Sequence, residues 1–207
     1  VKRSLLVFVE GEVTEEEYLN FFRKRHRSDV TVEMGDFHGT PLPMVEAAAR
    51  QKKDNERLQR RGKGAAHEEV WCVFDTDQHP HMEKALALAA ENGINVALSC
   101  PCIELWFLLH FADQTAYIER HAVQSKAKSH LNCGKALTAP ALSALAEHYE
   151  TAKARARKVD AKHQGDATPL PANPSSGVWR LIDSISRTQQ GGRTATPGVR
   201  KSPPRGI

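Results

Sequence analysis

The chain has 207 residues, 40% of them hydrophobic and 26% charged, with a formal net charge of +4 at pH 7, which suits one soluble domain, or one domain with an appendage. No apolar run approaches the roughly 20 residues that span a bilayer, and the start "VKRSLLVFVEGE" is too short in apolar content for a secretory leader and meets Glu10 instead of a small-residue cleavage site. Four cysteines (Cys72, Cys100, Cys102 and Cys133) lack disulfide-framework spacing, so a reduced, cytoplasmic setting is expected.

"SLLVFV" (4–9) is a short continuous apolar run rich in branched residues, the pattern of a strand buried on both faces. "TEEEYLNFFRKR" (14–25) predicts a helix with Thr14 as N-cap and Glu17 three residues on, a capping-box signature, and with Tyr18, Phe21 and Phe22 on one face. "VTVEM" (30–34) predicts a short strand. Residues 42–60 predict a helix that is apolar first and strongly polar later, and 70–74 a further buried strand. An alanine-rich helix follows at 81–91, closed by Asn92-Gly93, and then "INVALS" (94–99) as a strand. "IELWFLLHF" (103–111) is apolar nearly all round and predicts a buried helix after Pro101. Strands and helices alternating at these lengths imply β-α-β units, hence an α/β fold with a parallel sheet flanked by helices.

The rest reads as helical. "PALSALAEHYETAKARARKVDAK" (140–162) carries apolar positions at Leu142, Leu145, Tyr149 and Ala152 before it turns basic, and Ser175 or Ser176 is placed to cap a last short helix. From residue 188 on, "TQQGGRTATPGVRKSPPRGI" has almost no apolar content and predicts a disordered basic tail. The expected organisation is an α/β core over 1–138, a helical C-terminal extension of the same domain over 139–187, and the tail over 188–207. Charge is uneven along the chain: acids gather in 10–17, whereas 23–27, 52–63 and 153–162 are basic, a distribution compatible with a polyanionic partner.

The acids fall at strand ends. The first strand runs into Glu10-Gly11-Glu12, and the strand at 70–74 runs into Asp75-Thr76-Asp77. Open parallel sheets bind ligands beyond the carboxyl ends of their strands, so if these two strands are neighbours, several carboxylates converge at one edge. They would raise one another's pKa unless a cation lay between them, and a few hard oxygen ligands are what Mg²⁺ prefers. Gly11 would let the backbone turn tightly there and approach a phosphate. The competing reading is local: an acid after a strand is often the N-cap of the next helix, and Asp77 is placed to cap the helix near Pro80. Glu104 admits two readings as well, a helix-start charge meeting the macrodipole or a member of the acidic site. His110 and the aromatic residues beside it are most simply core. "HPH" (79–81) and "CPC" (100–102) could oppose each other as an N₂S₂ Zn²⁺ site, but neither has the usual spacing.

"LLVFVEGEVTEEEYLNFF", "VWCVFDTDQHP" and "CPCIELWFLLHF", in this order and each at a strand end, resemble the RloB-like family, as does the later "NPSSGVWRLID". The resemblance covers most of residues 4–186. It implies a Toprim-like core, similar to that of topoisomerases, bacterial primases, the OLD nucleases and recombination proteins. It implies a place beside bacterial restriction-modification and abortive-infection loci, for some members with an ATPase partner. By the same resemblance Glu10 matches the acid-base glutamate, Asp75 and Asp77 the Mg²⁺-binding pair, and Glu15 the additional acid of nuclease members. A basic residue for the transition state is expected, with Lys126, Lys128 and Lys135 as candidates.

The expected function is therefore a Mg²⁺- or Mn²⁺-dependent Toprim-type nuclease acting on DNA or RNA in anti-phage defence, with Glu10, Glu15, Asp75 and Asp77 catalytic and Gly11, Glu104 and Lys135 as possible additions. The alternative is a non-enzymatic defence subunit that binds metal or nucleotide and regulates an ATPase partner. A phosphoacceptor receiver domain fits less well, because it needs two acids after the first strand and a lysine after a fifth. The absence of G-x-x-x-x-G-K-[ST] argues against a P-loop ATPase in the chain itself.

Overall fold

A computed structural model describes residues 2–27, 29–76, 79–169 and 171–187. Two sequence expectations, the role of Asp77 and the character of the tail at 188–207, lie outside the described residues. Among the described residues the elements run β1 (Arg3–Val9), α1 (Thr14–Arg25), β2 (Val30–Met34), α2 (Pro41–Arg60), β3 (Glu69–Asp75), α3 (Met82–Glu91), β4 (Asn95–Cys100), α4 (Glu104–Phe111), α5 (Arg120–Leu131), α6 (Ala139–Glu147), α7 (Tyr149–Gly165), β5 (Ser175–Ser176) and α8 (Val178–Ser186). The fold is α/β, with a mostly parallel sheet in the order β2-β1-β3-β4-β5. β1 to β4 are parallel, and β5 joins β4 antiparallel at the sheet edge.

The unbroken apolar strands are buried on both faces, as a parallel sheet between helix layers requires. Leu5, Val7, Val9, Trp71 and Val73 face a large core completed by α1, α4 and the helices from α5 to α8. Leu6, Phe8, Cys72 and Phe74 face a smaller core under α2 and α3. α4 lies inside the larger core, with Leu105 to His110 all buried. There Trp106 Nε1 donates to the Tyr18 hydroxyl (2.7 Å) and the His110 ring contacts the Trp106 carbonyl through Nδ1 (2.8 Å), so His110 packs within the helix layer. Among the described residues no helix is long and apolar enough to cross a membrane.

Four local expectations change. Thr14 does not cap its own helix: Val13 occupies the N-cap, the Thr14 hydroxyl donates to the Lys135 carbonyl (2.7 Å), and the Glu17 carboxylate accepts the Leu137 amide (2.6 Å). The polar residues of the apparent capping box thus pin the loop before α6 to α1. Helix α5 has no counterpart in the sequence reading; only Val123, Ala127 and Leu131, four residues apart, are buried along it, and this thin stripe lies in an otherwise polar segment. The expected single helix at 140–162 is broken at His148 (φ −93°, ψ 11°) into α6 and α7. Ser175 and Ser176 form β5, and the N-cap of α8 is Gly177. The N-cap position of α3 is His81, in the left-handed region at φ 75°.

The C-terminal helices share the larger core. Leu181, Ile182 and Ile185 of α8 are fully buried in it, and α8 is tied to the start of β1 where the Arg3 guanidinium donates to the Ser184 carbonyl (2.8 Å). Truncating Ile182 to alanine removes fully buried methyl groups and is expected to lower unfolding free energy by about 2–5 kcal/mol, measured by denaturant titration against wild type.

Candidate acidic site at the sheet switch point

The chain leaves β1 through α1 for β2 on one side of the sheet, then returns through α2 to β3 on the other side of β1. The carboxyl ends of β1 and β3 therefore form the topological switch point, where open α/β sheets bind ligands. Register fixes the alignment: Val9 is paired with Val73, and Asp75, the last residue of β3, with Ser99.

Glu10 continues β1 by donating its amide to the Val73 carbonyl (3.1 Å), and its Oε2 accepts the Asp75 amide (3.1 Å). Its other oxygen, Oε1, lies 2.8 Å from His79 Nε2, an ion pair whenever the imidazole is protonated. Asp75 is buried at 8% exposure and faces Arg120 of α5, whose Nη2 stands 3.6 Å from Asp75 Oδ2. Burial first, then the charge of Glu15, pushes the Asp75 carboxyl well above the usual carboxylate range; Arg120 opposes this, and Glu104 and Glu10 reinforce it. The Glu15 carboxyl is raised too, chiefly by burial, with Glu104 and Glu10 adding to it while its own backbone amide and Arg120 pull it down. Glu10, Glu15, Asp75 and Glu104 thus form one electrostatically connected cluster, drawn from β1, α1, β3 and α4.

Gly11 serves this cluster through its missing side chain. A Cβ there would stand 2.1 Å from Glu15 Oε2, so the carboxyl group of Glu15 occupies the space over the glycine. Gly11 is not among the residues in the left-handed region, so close approach, and not an unusual turn, is what glycine permits here. Glu104 opens α4; its Oε1 accepts from Gln124 Nε2 (3.4 Å), and its Oε2 is buried with no hydrogen-bond partner among the described residues. The Cys102 thiol beside it is pushed up by burial and then by the Glu104 charge.

The lysines proposed from sequence take other places. Lys126 donates to Gln114 Oε1 (3.3 Å), while Lys128 and Lys135 line a cavity that also touches Glu104. The cation that faces Asp75 is Arg120, which sequence reasoning missed because α5 itself was missed; the one signal was the four-residue spacing of Val123, Ala127 and Leu131 just after it. His79 was likewise read only as part of the H-P-H motif, although it contacts Glu10. The donor chemistry, anionic oxygens at a poorly solvated edge, is of the kind a hard divalent cation takes. Among the described residues no three His, Cys, Asp or Glu side chains are gathered closely enough to hold an ion.

Residues 5–185 match the family described as RloB-like protein. The chain belongs to this family, and no curated protein matches it.

The raised carboxyl of Asp75 has a direct consequence for stability. A carboxyl whose folded pKa lies above its unfolded value stabilises the fold when protonated and loses that contribution as pH rises from the ordinary carboxylate range through the folded pKa. In metal-free buffer Asp75→Asn, which cannot ionise, should therefore melt higher than wild type at pH 8, by about 2–4 °C per kcal/mol relieved. The difference should shrink as pH falls toward 4, as scanning calorimetry across that range will show.

Gly11→Ala separates geometry from folding. The clash is with the end of a flexible side chain, so thermal stability should stay within about 1 kcal/mol of wild type while Glu15 is displaced. The expected signature is an unchanged melting curve in EDTA together with a weaker stabilisation by Mn²⁺.

Proposed function

We propose that this RloB-like protein is a Mg²⁺- or Mn²⁺-dependent phosphodiester hydrolase acting on nucleic acid, DNA or RNA, in bacterial defence against phage. The observation that carries the reading is the convergence of Glu10, Glu15, Asp75 and Glu104 at the switch point of a parallel sheet, where their mutual repulsion makes the edge a receptor for positive charge. Asp75 and Glu10 would hold the ion, with Glu15 at a second position and Asp77 as the other acid of the D-x-D pair. When bound, such an ion polarises a phosphoryl oxygen and lowers the pKa of a water.

The chain's own groups account for the rest. Glu10, its Oε2 fixed by the Asp75 amide and its Oε1 beside His79, is oriented to take a proton from a water attacking phosphorus. As the new P–O bond forms and the old one breaks, the leaving oxygen needs a proton, and His79, 2.8 Å from Glu10 Oε1, would return it. Arg120 beside Asp75 supplies a fixed positive charge for the phosphoryl oxygens, the role that sequence had offered to lysines. A planar guanidinium suits that role because it donates in a fixed fork to phosphate.

A second reading, a regulatory subunit that binds metal or nucleotide and controls an ATPase partner, is favoured by one observation. Both Glu10 oxygens are already engaged inside the fold. The receiver-domain reading is weakened, because the fifth strand among the described residues is antiparallel, two residues long and carries no lysine.

The decisive comparison is Glu10→Gln. The carboxamide keeps size and hydrogen bonding but neither accepts a proton nor binds metal as an anion, so cleavage of labelled nucleic acid should fall by about 10²–10⁴-fold with binding retained. Phage protection by the complete locus, at matched protein levels, decides between the readings. Loss with Glu10→Gln and with Asp75→Asn supports hydrolysis, and full protection by both supports the regulatory subunit.

A further inference from the structure

Beside the acidic edge lies a cavity of about 230 Å³, walled by Phe107 of α4, by Gln124, Ala127, Lys128 and Leu131 of α5, and by the loop at 133–137. Its wall includes Glu104, which also belongs to the carboxylate cluster, so cavity and cluster share a side chain. The loop that closes it is held in place: the Thr14 hydroxyl and the Glu17 carboxylate fix the Lys135 carbonyl and the Leu137 amide to α1. The site is thus a built feature of the fold, formed between α1, α4 and α5.

The chemistry of the wall is selective. Phe107, Ala127, Leu131 and Leu137 supply apolar surface for the faces of a flat ring. Glu104 contributes only acceptors, and its Oε2 has no hydrogen-bond partner among the described residues. An unsatisfied acceptor is costly, and a turn of the Glu104 carboxylate would bring it to the cavity, where a ligand N–H could meet it. Gln124 stands next to it with an amide nitrogen held 3.4 Å from Glu104 Oε1, a distance long enough to be given up for a better acceptor. Lys128 and Lys135 add positive charge for a phosphate. One donor beside a carboxylate matches the edge of guanine, whose O6 accepts while N1–H and the N2 amine donate. Adenine offers an acceptor at N1, where a carboxylate repels it.

We propose that this cavity binds a single unstacked guanine base, and that the nucleic acid acted on at the acidic edge is therefore single-stranded, or locally opened, with guanine beside the phosphate concerned. Glu104 would read N1–H and the N2 amine, and Gln124 would read O6. Enzymes that act on nucleic acid commonly take a base out of the stack into such a pocket, and a cavity of this size has no room for a base pair. The link to a scissile phosphate rests on the hydrolase reading; binding of the base does not.

The test uses the full chain and the four nucleoside 5′-monophosphates in EDTA, by isothermal titration calorimetry. GMP is expected to bind about tenfold or more tightly than AMP, from the one well-placed carboxylate–base pairing. Glu104→Gln should remove that preference with a melting temperature no lower than that of wild type. Equal affinity for all four nucleotides, no GMP binding at millimolar concentration, or a guanine preference that survives Glu104→Gln would each overturn the proposal. GMP selectivity in a protein that never cleaves would uphold the pocket and remove the hydrolase reading. Cleavage by wild type with no guanine preference in binding would remove the pocket and leave that reading standing.

Discussion

The structure turns on one hydrogen bond, from the Asp75 amide to the Glu10 carboxylate across the β1–β3 pair. It locks the end of one buried strand to the end of its neighbour, and it does so with a charged group. A carboxylate that accepts a backbone amide at a strand end holds its own orientation, which in turn sets where the Asp75 side chain emerges. Everything acidic nearby follows from this fixed point: α1 begins four residues after Glu10 and brings Glu15 over Gly11, and α4 brings Glu104 from the end of β4. Desolvation and like charge then act on Asp75 and Glu15, with Arg120 facing Asp75 and His79 beside Glu10 among the described residues.

How such a cluster persists at neutral pH is the central energetic question. Two answers coexist in the molecule. Arg120 neutralises part of the charge at Asp75, and protonation of Asp75 or Glu15, favoured by burial and by their neighbours, removes another part. Neither is complete, because the raised carboxyl ranges show that burial and like charge outweigh the guanidinium. On the proposed reading, the excess negative charge where the strands end is what a bound cation would offset.

The sequence disclosed the sheet and the acids because both are written locally. Continuous apolar runs can only be doubly buried strands or buried helices, and the residues that stop those runs stand at the sheet edge by construction. α5 was illegible for the opposite reason. It buries only three residues, one per turn, and is otherwise polar, so its helicity depends on docking against α4 and not on its own pattern. With it went Arg120, a residue that no spacing ties to Asp75. The capping box of α1 misled in an instructive way: Thr14 and Glu17 have the residue types to cap a helix, and the structure uses the same hydrogen-bonding capacity on the loop at 135–137. Local chemistry specified what these side chains can bind, and only tertiary contact decided which partner they took. β5 was equally hidden, since two serines make a strand only when β4 offers an edge.

These misses share a direction. Several features that sequence did not disclose, among them Arg120 and the pinned loop, belong to the layer of α1, α4 and α5 on one face of the sheet. That layer supplies the counter-charge, the space for Glu15 and the cavity at Glu104, whereas the strands supply Glu10 and Asp75. The strand acids depend on hydrogen bonds within the sheet and are therefore fixed. In the helix layer the contacts to the acids are longer, Arg120 to Asp75 at 3.6 Å and Gln124 to Glu104 at 3.4 Å. The strands thus hold Glu10 and Asp75 at the edge, and the helix layer brings Arg120 and the cavity at Glu104 beside them.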